Sequence, residues 1–215
     1  MKKIFILLAF FVSSHHLFSQ VKIGINLSPA IGYSRVALNS DEKGLDVSSN
    51  GAGIGFIAGP ELSFYLGKNQ NYSIATGIWY SVKKASYKTT YKVASGDTNV
   101  TSNYNLQYLQ LPLTFKLYTN EIATDMKLYF QLGSSLDIKI GGKEVGKKIK
   151  DTDRFKPVDA SVILGAGVRY ALGENTAFLI GLRYTRGFIN SVKSDEADKF
   201  KINNDMISLD FGIQF

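Results

Sequence analysis

From Val21 onward the chain alternates apolar and polar residues with a period of two, and no stretch keeps a helical rhythm. The last stretch shows it most clearly. Ile207, Leu209, Phe211, Ile213 and Phe215 share one face, with Ser208, Asp210, Gly212 and Gln214 opposite. The same alternation sets Phe178, Ile180, Leu182 and Tyr184 against Gly181, Arg183 and Thr185, and Val162, Leu164, Ala166, Val168 and Tyr170 against Gly165, Gly167 and Arg169. Met126, Leu128, Phe130 and Leu132 oppose Lys127, Tyr129, Gln131 and Gly133; Leu109, Leu111, Leu113, Phe115 and Leu117 oppose Gln110, Thr114, Lys116 and Tyr118. Three earlier stretches repeat it less cleanly: Val21 to Leu27 against Lys22 to Ser28, Phe56 to Leu66 against Gly59, Glu61 and Ser63, and Ile74 to Val82 against Ser73 to Ser81. Eight strands are predicted, over about 20–34, 51–67, 71–87, 103–119, 124–140, 158–172, 176–189 and 205–215.

The links between them are of two kinds. Gly67-Lys68-Asn69-Gln70, Thr119 to Ala123 and Leu172-Gly173-Glu174-Asn175 read as tight turns. Polar links near 35–50, 88–102, 141–157 and 190–204 are long. Long and short alternate strictly, as an up-and-down antiparallel barrel with both ends on one side requires. Short periplasmic turns and long outer loops are the pattern of transmembrane barrels, and each strand exceeds the roughly 9–11 residues that cross a bilayer.

Alternation alone leaves open which face is outside. A soluble, exported lipocalin-like ligand binder would turn the apolar stripes inward. Continuous aliphatic and aromatic stripes opposite glycine, serine and charges of both signs fit the reverse, with lipid outside and a crowded polar lumen. Tyr118, Tyr170, Phe178 and Phe215 are expected at the periplasmic interface and Tyr33, Tyr80, Tyr184 and Phe188 at the outer one, where an amphipathic ring is favoured. Pro60 and Pro112 fall inside predicted strands. A closed barrel has no free edge for a missing donor, so each should mark a bulge or a strand end.

Met1-Lys2-Lys3, the apolar run Ile4 to Val12 and the polar stretch Ser13 to Gln20 have the layout of a secretory signal peptide. The domain reading is therefore a leader over 1–19 and an outer-membrane β-barrel over 20–215. With no cysteine in its 215 residues, the chain offers neither a lipoprotein anchor nor a disulfide framework. Its formal charge is +7, with lysines spread over strands and loops. That spread argues against nucleic acid and for lipid headgroups or surface polysaccharide as anionic neighbours in a Gram-negative envelope.

Tyr108-Leu109-Gln110-Leu111-Pro112-Leu113 followed by Lys116 resembles the "YLxIPL…K" strand of the PorT-like outer-membrane β-barrel family. Leu164-Gly165-Ala166-Gly167-Val168 is similar to that family's glycine-rich sixth strand, and Gly181-Leu182-Arg183-Tyr184-Thr185-Arg186-Gly187 to its "xxRYxxG" seventh. The C-terminal Phe215 looks like the terminal aromatic that the barrel-assembly machinery recognises. The resemblance spans the mature chain and implies an outer-membrane barrel. It implies no particular activity, since a fold does not carry one.

The only histidines, His15 and His16, lie in the predicted leader. The remainder lacks the groups for a serine triad, a histidine-dependent lipid hydrolase, or the usual zinc and copper sites. The expectation is a non-enzymatic barrel without cofactor or catalytic residues. Asp195, Glu196 and Asp198 lack a calcium-loop pattern. Gly165-x-Gly167 precedes no helix and is no phosphate loop. The informative polar set is the inward one: Lys22, Glu61, Lys116, Lys127, Asp137, Arg169, Arg183 and Asp210. Charges in a narrow lumen must be paired, and the register predicts Arg183 and Asp210 face to face within about 8 Å. The link Gly141 to Pro157 is basic, with Lys143, Lys147, Lys148, Lys150, Arg154 and Lys156, and is a candidate for lipopolysaccharide or another polyanion. A binding, structural or envelope-accessory role is the leading expectation; a narrow porin-like channel is the alternative.

Overall fold

The computed structural model describes residues 21–38, 45–67, 69–93, 96–145, 155–191 and 200–215. The predicted leader lies outside them. Ten strands are formed among the described residues: β1 (Val21–Leu38), β2 (Leu45–Ser49), β3 (Ala52–Leu66), β4 (Tyr72–Gly77), β5 (Trp79–Val93), β6 (Gly96–Ala123), β7 (Met126–Glu144), β8 (Val158–Ala171), β9 (Ala177–Gly187) and β10 (Phe200–Gln214). All pairings are antiparallel, and each barrel strand pairs with its neighbours in sequence. β1 pairs with both β3 and β10, so the sheet closes on itself. β4 and β5 are two halves of one wall strand, which makes eight. β2 lies off the ring at the loop end, paired with β5 from Leu45↔Tyr91 to Ser49↔Tyr87.

The prolines act differently from the expectation. Leu62↔Thr76 and Ala58↔Tyr80 belong to one register, as do Thr76↔Leu113 and Trp79↔Gln110, so neither proline inserts a residue. Instead Pro60 and Pro112 flank the lapse between β4 and β5. Pro60 accepts from Ile78 N–H at 3.3 Å but has no N–H to return. The Pro112 carbonyl takes the Thr76 hydroxyl at 2.8 Å. A third proline, Pro29, makes a similar lapse on the β1–β10 seam, where pairing skips from Leu27↔Phe211 to Ala30↔Ser208 in unchanged register.

The walls run past the predicted strands at the loop end. Within the segment 88–102, which the sequence reads as a loop, residues 88–93 and 96–101 are paired from Lys88↔Thr101 to Val93↔Gly96. Thr89, Thr90, Tyr91 and Val93 keep their extended preference where no apolar stripe is required, so the strand persists after its periodic signal ends. At the opposite end the β6–β7 turn falls at Thr124-Asp125 rather than within 119–123, after register shifts near Tyr118 and Glu121. Gly67 (φ +80°) and Asp125 (φ +61°) supply the left-handed backbone these turns need.

The outward face is the apolar one. Ile23, Ile25, Leu27, Ile54, Phe64, Ile78, Leu113, Phe130, Leu132, Leu164, Ile180, Leu182 and Leu209 are all exposed around the ring. In water a continuous apolar belt of this kind would drive association; in a bilayer it is the required surface. This is the reverse of a lipocalin-like barrel. Inside lie three apolar groups between polar ones. Tyr65, Tyr118, Tyr129 and Leu179 sit toward the turn end; Ala30, Ile57, Trp79, Ile163 and Met206 sit midway. At the loop end Val47, Ala85, Tyr87, Tyr104, Leu106, Tyr108, Phe155 and Ile202 pack together. Tyr118, expected at the membrane interface, instead turns into the lumen, where its hydroxyl meets those of Tyr65 (3.3 Å) and Ser73 (3.5 Å).

Candidate functional site

The polar lumen is the candidate site, and its charges fall in levels along the barrel axis. At the turn-end rim, the Lys22 ammonium donates to the carbonyls of Asn175 (2.9 Å) and Glu174 (3.5 Å) in the β8–β9 turn. It reaches across the mouth, since β9 is not adjacent to β1. Lys127 and Arg169 are register partners at this rim, and the Arg169 guanidinium lies 6.0 Å from the Tyr65 ring centre.

One level inward, Lys116 donates to Glu61 Oε1 at 2.5 Å, while Asn26 donates to Oε2 at 2.9 Å and Ser63 to Oε1 at 3.2 Å. Both carboxylate oxygens are thus satisfied, as a buried ion pair requires. Midway, Arg183 Nη2 donates to Asp210 Oδ1 and to Ser28 Oγ, each at 2.9 Å, and Ser208 bridges to the same oxygen at 3.0 Å. The structure therefore brings Arg183 and Asp210 together inside the barrel. The guanidinium also lies over the Trp79 ring, 4.5 Å from its centre, a cation–π contact in a desolvated setting.

The third level holds a group only partly anticipated. Lys83 donates to Asp137 Oδ2 at 2.5 Å and lies 3.6 Å from Asp159 Oδ2, and Ser161 donates to Asp137 at 3.1 Å. Asp137 was among the predicted inward charges; Lys83 and Asp159 were not. The signal was present. Continuing the alternation of Ser73, Ala75, Gly77 and Ser81 by one step puts Lys83 inside, and that of Arg169, Gly167 and Gly165 leads back to Asp159. Trp79 follows from the same alternation.

Small residues make room for these groups. An ideal Cβ on Gly181 would collide with the Tyr129 hydroxyl, and one on Gly167 would lie 2.7 Å from the same ring. One on Gly165 would lie 2.5 Å from Gln131 Nε2. The glycines of β8 and β9 are the space into which β7 projects its long side chains.

Of the basic loop residues, Lys143 is exposed on β7, and Lys156 is half-buried beside Phe155, its N–H donating to the Ser191 carbonyl at 2.8 Å. Lys147, Lys148, Lys150 and Arg154 lie outside the described residues. Among the described residues no group of three or more His, Cys, Asp or Glu is gathered as a metal site.

The fold is shared with solved outer-membrane barrels. OprG of Pseudomonas aeruginosa matches with a TM-score of 0.50 and 13% identity, over 90% of this chain and 95% of that one. Neisserial surface protein A matches with 0.49 and 16%, over 88% and 95%. The outer membrane protease OmpT of Escherichia coli matches with 0.49 and 11%, over 91% and 96%. Identities this low speak for the fold alone. No curated protein sequence matches the chain. The model of the outer membrane protein beta-barrel domain matches residues 18–193, and with eight antiparallel strands closed around a polar lumen the chain belongs to that family.

Proposed function

We propose that this outer-membrane barrel is a closed, non-enzymatic scaffold of the PorT-like type, with its termini on the periplasmic side and its function in the surface loops. One observation supports this reading: buried, mutually neutralising ion pairs stand at successive levels of the lumen beneath an apolar cluster. Lys116–Glu61, Arg183–Asp210 and Lys83–Asp137 occupy the lumen in succession, and the Arg183 guanidinium reaches across to the Trp79 ring. Above them Tyr104 packs edge-on against Phe155 at 5.0 Å, joining the β5–β6 hairpin to the third long loop. Narrow barrels fill in this way, whereas a conducting path needs continuous water. The strictly alternating link lengths support the orientation.

Planar-bilayer recording of the purified full chain tests it. A closed scaffold gives no ohmic conductance above background; steady single-channel steps would overturn it. The narrow-pore reading has one specific support: Ser81 Oγ, the Tyr108 hydroxyl and Gln110 Oε1 are buried without a partner in the protein, on neighbouring strands. The basic link 141–157 is a second element of the proposal, as a contact for a polyanion. Charge reversal of its lysines, with lipopolysaccharide binding as the readout, checks it.

A further inference from the structure

The outward face of β1, β9 and β10 departs from the apolar rule at one place. Ile31, Ile207 and Tyr184 are register partners at the loop-side edge of the belt. The next outward level holds Tyr33, Asp205 and Arg186, and beyond it stand Arg35 and Lys201. Asp205 belongs to the outer wall but is buried, 1% exposed, because its neighbours cover it. Arg35 grips it with two parallel bonds, Nε to Oδ2 at 2.7 Å and Nη2 to Oδ1 at 3.0 Å. The Tyr184 hydroxyl donates to Oδ2 at 2.8 Å, and Arg35 Nη2 also reaches the Gly187 carbonyl at 2.9 Å.

A carboxylate on this wall needs a reason, since the next step down is hydrocarbon. Its geometry supplies one. It holds a guanidinium rigid by Nε and Nη2, and the two N–H groups of Nη1 take no part in these bonds. Arg186 is exposed, and two outward levels further Lys201 is exposed as well. Among the described residues two arginines and a lysine stand against one carboxylate, which leaves the cluster cationic at headgroup depth, with Tyr33 beside it and Tyr184 beneath.

We propose that this wall cluster binds the phosphate of a membrane lipid headgroup in the leaflet on the loop side, with Arg35 and Arg186 as the contacts and Asp205 and Tyr184 as positioning residues. Planar, pre-oriented guanidinium groups suit phosphate oxygens, and a preorganised fork loses little entropy on binding. The proposal uses only the transmembrane fold. It stands or falls independently of whether the lumen conducts or the 141–157 link binds a polyanion.

The test is native mass spectrometry of the full chain released from detergent micelles and titrated with phosphatidylglycerol, bisphosphorylated lipid A, diacylglycerol or inorganic phosphate. Retained folding is checked for every variant by heat-modifiable gel mobility. The wild type should hold the two phosphorylated lipids roughly tenfold better than diacylglycerol, and the double variant Arg35→Gln/Arg186→Gln should lose that preference. Asp205→Asn is decisive. Diffuse charge attraction predicts tighter binding when a carboxylate is removed, whereas a built site predicts binding weaker by about threefold or more. Where Asp205→Asn does not fold, Tyr184→Phe replaces it; this variant keeps every charge and should weaken binding about twofold. An unchanged preference in the double variant would overturn the proposal, as would tighter binding by Asp205→Asn or unchanged binding by its Tyr184→Phe substitute. Displacement of the lipids by equimolar inorganic phosphate would reassign the site to free phosphate. Loss of binding on reversing Lys143 and Lys156, with the wall variants unaffected, would overturn it in favour of the loop.

Discussion

The Arg183 guanidinium is held between a carboxylate and an indole: Asp210 at 2.9 Å on the neighbouring strand, and the Trp79 ring 4.5 Å away across the lumen. The contact ties β9 and β10 to β5, on the far side of the barrel, so one side chain braces walls that share no hydrogen bonds.

Removing one partner of this pair leaves a buried charge alone. Arg183→Met and Asp210→Leu should each destabilise the barrel by about 3–5 kcal/mol, and the double variant should lose much less than the sum. The urea concentration at which heat-modifiable mobility disappears gives the double-mutant cycle. Strict additivity would mean that the pair is not coupled in the folded barrel.

Lys83 stands between two carboxylates at unequal distances, 2.5 Å from Asp137 and 3.6 Å from Asp159. Asp159→Asn should therefore cost less than Asp137→Asn, and Lys83→Met, which leaves both carboxylates facing each other, should cost most, about 3–5 kcal/mol. The same midpoint measurement ranks the three. Asp159→Asn as the costliest change would contradict the geometry.

Gly181 and Tyr129 compete for one volume. Gly181→Ala should destabilise by about 1–3 kcal/mol, and Tyr129→Phe introduced with it should recover part of the loss by withdrawing the hydroxyl that the new methyl meets. Tyr129→Phe alone should be mild. The result to look for is the sign of the coupling: the second substitution must help only in the presence of the first.

Depth along the lipid-facing wall sets the cost of a charge. Ile180 lies at the level of Phe211 and Leu27, well inside the belt, whereas Phe178 lies at the level of Ile213 beside the β8–β9 turn. Ile180→Arg should cost about 2–4 kcal/mol and Phe178→Arg no more than about 1 kcal/mol. Equal penalties would place the hydrocarbon boundary elsewhere.

The fold was legible because a bilayer strongly favours alternation, although Ser134 interrupts the apolar face between Leu132 and Leu136. Polar residues on the outward face are penalised, and the stripes from Leu109 to Leu117 and Ile207 to Phe215 run unbroken and fix the register. That constraint ends at the loop-side edge of the belt. Beyond it Thr89, Thr90 and Tyr91 stay in a ladder with nothing periodic to announce it, and β2 pairs on through Val47 and its neighbours. Inside the lumen the face of each charge could be read, but not always its partner. Arg183 and Asp210 sit on adjacent strands, where register decides who meets whom. Lys83 and Asp137 are on strands separated by β6, and the contact exists only because the barrel curves them toward each other. The wall cluster around Asp205 was hidden for another reason: Asp205 opens the predicted strand 205–215 and Arg35 falls just past the predicted end at 34, so the apolar stripe has stopped before the two meet.

The seam between β1 and β10 has a consequence for how the chain reaches this state. Gly24 and Gln214 are partners, almost two hundred positions apart. Every other pairing along the ring joins segments that are neighbours in sequence and can zip in order. Until the seam joins, both terminal strands carry unsatisfied amides and carbonyls along their length, which neither hydrocarbon nor a crowded envelope tolerates. The slowest contact to find is thus also the one whose absence is most hazardous. Unfinished barrels are exposed to pairing with each other, and the gaps at Pro29 make the closing edge shorter in effective donors than its residue count suggests.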